Sequence, residues 1–294
     1  MISIDESRCN LCGLCVPICS PAVLAQGEKS IVVTDPNQCI LCGHCKAICP
    51  TDAPTLARLA ESEFKPAPKK NELPDSAAFL RLLRRRRSLR VYQKKPVEKE
   101  KLQKILEAGR FAPTGANRQA CRFSVVGGRK TLDRICTLAL QNLQDEGKKI
   151  KEALEQQRRS QERLSDEYAL KQFFPPFWDR LAKKWQEGVD QLLHHAPAVM
   201  VVHMRNNATL FPELDAGIAA THMILMAETL GLGTCFIGFL IYALENSAEL
   251  KEVLKIPSDH RAYVAFTVGY PCVDFLKLVA RRPAKVEWIG EFGE

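Results

Sequence analysis

The chain has 294 residues, a formal net charge of +8 and twelve cysteines. That length is enough for a small metal-stapled module and a larger domain with its own hydrophobic core. It contains no uninterrupted apolar run of about 18 residues, which excludes an ordinary transmembrane helix. The first residues lack a basic and then apolar leader, so we expect no signal peptide and a reducing, cytoplasmic location for the cysteines.

The N-terminal part carries two copies of one cysteine spacing. The sequence C-N-L-C-G-L-C-V-P-I-C occupies 9–19, and C-I-L-C-G-H-C-K-A-I-C occupies 39–49. Both are C-x2-C-x2-C-x3-C, the spacing in which the fourth cysteine of each run ligates the cluster of the other run. Zinc sites normally use two separated CxxC pairs, and disulfides belong to short secreted chains, so both alternatives are disfavoured.

Residues 1–60 therefore resemble two-cluster bacterial ferredoxins, and we expect two [4Fe-4S] clusters there. The expected ligands of the first cluster are Cys9, Cys12, Cys15 and Cys49, and those of the second are Cys39, Cys42, Cys45 and Cys19. Two such clusters would lower the net charge to about +4, which weakens any argument from basicity to nucleic acid.

The next segment, 61–75, contains three prolines and few apolar residues, which predicts an extended linker of limited flexibility. From residue 76 the patterns predict an α+β domain. The predicted helices are 76–87, 98–109, one from about 129, a solvated one over 141–172, one from the 173–178 break to His195, and 213–230. The predicted strands are Phe123–Val126, Ala198–His203, Cys235–Phe239 and Ala262–Val268. Helix 213–230 is apolar on nearly every face, so we expect it at the centre of the domain or of a dimer.

Six separated stretches of 76–294 follow one pattern in order. They are R-R-S-L-R-V-Y (86–92), E-K-L-Q-K-I-L-E-A-G-R-F-A-P-T-G-A-N-R-Q (100–119), R-F-S-V-V (122–126), D-A-G-I-A-A (215–220), G-L-G-T-C-F-I-G (231–238) and V-G-Y-P (268–271). Together they resemble the nitroreductase family of FMN flavoproteins. The resemblance implies an α+β sandwich that binds FMN at the interface of an intertwined homodimer.

The resemblance also implies roles for particular residues. Arg86, Arg90 and Arg281 would hold the FMN phosphate, for which the planar guanidinium fork is well suited. Arg87 and Ser88 would contact phosphate and ribityl, Asn117 the ring or ribityl, and Ile237 and Gly238 would lay backbone along the ring. The chain departs from the family in having Ala120 and Cys121 after Gln119, and Val279 where a lysine is frequent; Arg282 is the candidate substitute.

Other features have simpler interpretations. The basic run 81–90 lacks interleaved aromatics, so a nucleic-acid site is disfavoured and Arg81, Arg84 and Arg85 are expected to be exposed. Gly231-Leu-Gly233 is not a dinucleotide fingerprint. The remaining cysteines are expected to be inert and apolar, namely Cys121, Cys136, Cys235 and Cys272. His194 and His195 are expected to close a helix. The aromatics of 173–178 would either line a pocket or anchor the charged helix.

The sequence thus predicts an FMN-dependent oxidoreductase in which two clusters relay electrons to FMN for reduction of a small organic acceptor, such as a nitroaromatic, quinone or enone. The expected partners are a second copy of the chain and an external ferredoxin-like donor, with no nucleic acid and no membrane. Two alternatives remain open: an NAD(P)H-driven nitroreductase or flavin reductase, and a non-enzymatic electron-transfer or redox-sensing module.

Overall fold

The cysteine-rich part of the chain is a small module of short strands. The computed structural model describes residues 2–160 and 170–293. Strand β1 (Ile2–Ile4) pairs antiparallel with β4 (Pro54–Leu56), and β2 (Leu24–Gln26) pairs antiparallel with β3 (Ile31–Val33). Helix α1 spans His44–Ile48. The core of the module is too small for stability without metal, since it consists mainly of Ile2, Val23, Leu24, Ile31 and Leu56 with two of the cysteines.

The second domain contains a four-stranded antiparallel sheet with the strand order β5–β6–β8–β7. The strands are β5 (Arg122–Gly127), β6 (Ala198–Arg205), β7 (Gly233–Phe236) and β8 (His260–Gly269). The helices are α2 (Ser76–Arg85), α3 (Lys99–Arg110), α4 (Arg129–Ser160), α5 (Phe174–Gln186), α6 (Pro212–Thr229), α7 (Gly238–Glu245) and α8 (Ala248–Val253).

Helices cover both faces of this sheet. On β6, Val199 and Val201 belong to one core with α4, α5 and α7, while Met200 and Val202 belong to another with α3 and α6. Successive residues of a strand point to opposite faces, which is why a central strand with two covered faces is apolar throughout. The predicted α+β sandwich is confirmed.

Several predicted boundaries were wrong. The helix expected to reach His195 ends at Gln186, and both His194 and His195 have left-handed backbone with φ of 58° and 52°. The strand expected over Cys235–Phe239 stops at Phe236, because a new helix, α7, begins at Gly238. The helix expected to be solvated carries a buried face that includes Leu143 and Ile150; its predicted extension over 161–169 lies outside the described residues.

The first residues of the segment between the two parts, 61–64, are attached to the cysteine module. A short 3-10 turn covers Glu61–Glu63, and Phe64 then packs on the core of the cysteine module, close to Gly43. Helix α2 begins where the Asp75 carboxylate accepts a hydrogen bond from the backbone N–H of Ala78 at 2.7 Å. Among the described residues no helix is long and apolar enough to cross a membrane.

Some apolar surface of the second domain is uncovered within one chain. Helix α2 has no buried residue, and its Phe79, Leu80 and Leu83 are exposed. The predicted apolar helix forms as α6 and buries Ala216 and Met223 on its inner face. Residues 272–293 have no helix or strand and expose several large apolar side chains, among them Leu276, Trp288 and Ile289. Arg81, Arg84 and Arg85 are exposed, as expected.

Candidate functional site

The fold brings the motif cysteines into two groups, each drawn from both runs. The thiol of Cys15 interacts electrostatically with those of Cys9, Cys12 and Cys49. A second group, Cys19 with Cys39, Cys42 and Cys45, lines a small cavity on the other side of the module. Each group therefore contains the fourth cysteine of the opposite run, which is the exchange that the spacing predicts.

The surroundings of the sulfurs fit bound clusters. Burial raises the pKa of Cys45 to about 11 and also raises the pKa of Cys15, so these thiols need a metal to hold them as thiolates. Burial opposes ionisation of Cys49 too, but bonds from Thr51 and the Ala53 N–H, 3.3 Å from Sγ, lower its pKa overall. Among the described residues no three side chains converge as ligands of a single ion. In a cubane cluster each iron binds only one protein thiolate, so the four thiols of a group need not converge on one point. The grouping of the cysteines in fours is therefore the feature that fits a bound cluster.

A buried cation lies next to these groups. The Lys46 side chain is 2% exposed, and its Nζ lies 2.7 Å from Asp52 Oδ1 and 3.1 Å from Glu61 Oε2. Lys46 also donates to the Asp52 carbonyl at 3.3 Å. Because Lys46 follows Cys45 directly, this network fixes helix α1 and its cysteine to the end of the module.

The second domain has a cavity of about 1770 Å³ at the β7 edge of its sheet. Its walls come from the 90–96 segment, the start of α4, helix α5, the 188–197 loop and the β7–α7 junction. A Cβ at Gly238 would meet no atom within 4 Å, so the backbone there borders open space that a ligand could fill. The volume is ample for a cofactor and a small substrate together.

Arginines that form no ion pair within the described residues lie at one side of the cavity. Arg90 lines it, and Arg86, Ser88 and Arg90 all lie near the Cys235 thiol, whose pKa burial raises. This segment is held to the sheet, since Leu89 N–H donates to Thr234 O at 2.9 Å and a Cβ at Gly233 would clash with Leu89 at 2.3 Å. Within the described ranges, Arg86, Arg87 and Arg90 form no salt bridge, and the buried Nε of Arg87 has no hydrogen-bond partner. Guanidinium groups in a fixed segment that form no ion pair with a carboxylate suit a phosphate group.

The buried carboxylate of Asp190 shapes the wall that the 188–197 loop forms. Asp190 Oδ1 accepts the backbone N–H groups of Leu192 at 3.0 Å and Leu193 at 2.7 Å, and Oδ2 accepts that of His195 at 2.9 Å. In return, the Asp190 N–H donates to His195 Nε2 at 3.1 Å. These bonds hold the left-handed backbone that turns both histidines toward the cavity, and burial lowers the pKa of His194.

Aromatic side chains form the remaining wall. Phe174, Phe177, Phe239 and Tyr242 line the cavity, and the Phe177 and Phe239 rings lie 5.4 Å apart between centroids. Trp178 stands behind them, fully buried in the core. The sequence left two roles open for the aromatics of 173–178, and the structure shows both: they line a pocket and they anchor a helix in the core. The rings are tilted against one another, and an apolar aromatic wall of this kind suits an aromatic ligand.

The other residues predicted to bind FMN do not lie together within one chain. Ile237 and Gly238 lie at the cavity, whereas Arg281 and Arg282 lie on the exposed tail. Asn117 lies in the turn after α3, on the side of the sheet opposite the cavity helices, and its amide contacts the cysteine module. Cys136 and Cys235 are buried as expected, but Cys272 is exposed, because it lies where the tail leaves the sheet.

Sequence reasoning missed the Asp190 loop and the α7 aromatics. Asp190 could have been found as an Asx-type turn, because its side chain accepts N–H groups two and three residues ahead. Phe239 and Tyr242 carried no such signal, since the start of α7 at Gly238 resembles a continuing strand.

The fold and these two sites define an α+β sandwich with a large cavity, joined to a cysteine-rich module. The profile of the nitroreductase family matches residues 83–270, and that of the 4Fe-4S dicluster domain matches 4–53. The chain belongs to the nitroreductase family and carries a 4Fe-4S dicluster domain at its N-terminus.

Known relatives agree with this assignment. A putative NADH dehydrogenase/NAD(P)H nitroreductase of Archaeoglobus fulgidus is 25% identical over 197 residues, which cover 65% of this chain and 84% of that protein. One of the same description from Methanothermobacter thermautotrophicus is 23% identical over 196 residues, which cover 65% and 76%. A nitroreductase structure with bound FMN from Bacteroides fragilis covers 72% of this chain and 98% of its own, at 21% identity and a TM-score of 0.53. The structural likeness shows the fold.

Proposed function

We propose that the protein is an FMN-dependent oxidoreductase that receives single electrons through two [4Fe-4S] clusters and reduces a small planar organic acceptor. The observation that carries the proposal is the presence, in one chain, of two exchanged groups of four cysteines and a large cavity bordered by Arg90, near which Arg86 lies. When bound, the clusters would supply one-electron transfer and the flavin two-electron chemistry.

The residues of the chain would bind and orient. Arg86 and Arg90 would hold the FMN phosphate, with Ser88 as a further donor, and the backbone at Ile237 and Gly238 would lie along the ring. The aromatic wall formed by Phe174, Phe177 and Phe239 would stack a flat acceptor and exclude water from it. Nitroaromatics, quinones and enones share the planarity that this wall selects.

A second candidate is an NAD(P)H-driven nitroreductase, which the names of both curated relatives favour. In that case nicotinamide would take the place beside the flavin, and the clusters would serve another partner. The two candidates differ in the donor that reduces the flavin.

Anaerobic purification followed by stopped-flow spectroscopy tests the proposal. We expect about eight iron and eight sulfide per chain together with FMN, and faster flavin reduction by reduced ferredoxin than by NADH or NADPH. Cys42→Ser should remove iron and slow ferredoxin-driven reduction, whereas Cys272→Ser, at an exposed cysteine outside the motifs, should change neither. Stoichiometric zinc without iron would refute the cluster assignment, and equal ferredoxin rates in wild type and Cys42→Ser would refute the relay.

A further inference from the structure

The turn that follows α3, residues 114–119, contacts one of the two cysteine runs. Asn117 Nδ2 donates hydrogen bonds to the carbonyl oxygens of Ile40 at 3.0 Å and Leu41 at 2.9 Å. Ile40 and Leu41 lie between Cys39 and Cys42. One side-chain amide thus uses both of its hydrogens to bind the backbone of a ligand loop.

The orientation of this amide is determined by a neighbour. Gln119 Nε2 donates to Asn117 Oδ1 at 3.2 Å, so the oxygen of the Asn117 amide faces Gln119 and its NH₂ faces the module. The turn itself is fixed to the second domain, because the Gly115 N–H donates to Asp215 Oδ1 at 3.0 Å and Asp215 is buried. The donor therefore stands on a rigid support.

Backbone strain marks both sides of the contact. Ala116, Asn117 and Gln119 have φ of 48°, 52° and 48°, and Leu41 opposite them has φ of 53°. Residues other than glycine adopt this region at a cost, and they keep it only where the surrounding structure requires it. The strain of Leu41 belongs to the cysteine turn itself, since Leu11 at the equivalent position of the first run has φ of 60°. The strained turn around Asn117 is held by its hydrogen bonds to the module and to Gln119.

A second link lies nearby. Arg110, the last residue of α3, places Nη2 2.7 Å from Glu63 Oε2 and 2.6 Å from Glu107 Oε1. Glu63 belongs to the segment that Phe64 anchors on the module. Cys12 of the first run is exposed, whereas Cys42 at the equivalent position of the second run is half-buried.

We propose that Asn117 is a docking residue that fastens loop 39–42 to the reductase domain, so that the second cysteine run faces this domain and the first is open to an external redox partner. The electron-transfer role in this inference rests on the proposed function, whereas the contact between Asn117 and loop 39–42 does not. The family pattern implies a flavin contact for Asn117, and since the module uses both amide hydrogens, that contact would have to be made by Oδ1.

Asn117→Asp tests the inference, because aspartate keeps the size and the tolerance of positive φ but puts a carboxylate oxygen against two carbonyls. The matched control is Asn207→Asp, since Asn207 is an exposed asparagine of the same domain with φ of 63°. Asn117→Gln keeps the donor amide and should restore part of the effect. Three quantities are measured on the anaerobic holoprotein: amide hydrogen exchange over 37–43, the FMN dissociation constant, and the rate of flavin reduction by reduced ferredoxin.

We expect Asn117→Asp to increase exchange over 37–43 and to slow ferredoxin-driven reduction several-fold, with the FMN dissociation constant unchanged. Asn207→Asp should behave as wild type. Unchanged hydrogen exchange over 37–43 in Asn117→Asp would overturn the docking role. If FMN binding were also weaker in that variant, Asn117 would be a flavin-binding residue instead. If wild-type flavin is not reduced by ferredoxin at all, the proposed function fails, while the exchange measurement still decides the docking role.

Discussion

The Asp190 carboxylate accepts the backbone N–H of His195 at 2.9 Å, and the ring of His195 accepts the N–H of Asp190 in return. Two residues five positions apart thereby close a loop on itself and set one wall of the cavity. Because Asp190 is only 4% exposed, its charge is stabilised by hydrogen-bond donors instead of water.

Asp190→Ala should therefore lower the free energy of unfolding by roughly 2–3 kcal/mol, since it leaves three N–H groups, two of them buried, without an acceptor. Chemical denaturation monitored by circular dichroism measures this. The control is Asp133→Ala, which breaks an exposed ion pair with Arg129 and should cost less than about 1 kcal/mol. Equal losses in the two variants would contradict the structural role of Asp190.

Arg86 provides a test of the phosphate end of the cavity. Arg86→Ala should weaken FMN binding about tenfold to a hundredfold, the equivalent of losing one charge-assisted contact of about 1.5–3 kcal/mol. Iron content should not change, because Arg86 belongs to the second domain and is not one of the eight motif cysteines' neighbours in sequence. The adjacent Arg85 is itself exposed and pairs with the largely buried Glu228, so Arg85→Ala is the matched control and should bind FMN normally. Fluorescence titration of the apoprotein with FMN distinguishes the two variants.

A buried histidine pair should make stability depend on pH. His203 Nδ1 lies 2.9 Å from His260 Nδ1, and burial, with the nearby His260 and Arg122, lowers the pKa of His203 to about 4. Because the unfolded chain binds this proton near pH 6.5, stability is complete above that pH and is lost as the pH falls from 6.5 to 4.

The loss attributable to His203 should reach about 2–3 kcal/mol at pH 4. His203→Gln should remove that part of the pH dependence, whereas His222→Gln, at a partly exposed helix position, should retain it. Unfolding free energies measured at several pH values between 7.5 and 4.5 give the comparison. Parallel curves for wild type and His203→Gln would contradict this prediction.

The uncovered apolar faces predict self-association. Helix α2 exposes Phe79, Leu80 and Leu83, and a second copy of the chain is the partner that the resemblance implies. Light scattering of the full chain should give a dimer, and Leu80→Glu should shift it toward monomer. Arg81→Glu introduces the same side chain on the exposed polar side of α2 and should leave the dimer intact. A monomeric wild-type protein that retains FMN would rule out this prediction.

Local sequence patterns determined much of this protein. The spacing of eight cysteines predicted both groups, including the exchange of Cys19 and Cys49, because it resembles the two-cluster ferredoxin pattern in which each run gives its fourth cysteine to the other cluster. Helix α3 followed from apolar periodicity, whereas helix α6 and strand β6 followed from nearly continuous apolar runs.

Only the tertiary structure decided the parts that depend on contacts between distant segments. The left-handed backbone of His194 and His195 is held by Asp190 and has no periodic signature. The role of Asn117 depends on Leu41, 76 positions earlier in the chain. Apolar periodicity reports which face of an element is buried, but it carries no record of which loop a polar side chain meets. For that physical reason the cavity wall and the docking contact emerged only from the folded chain.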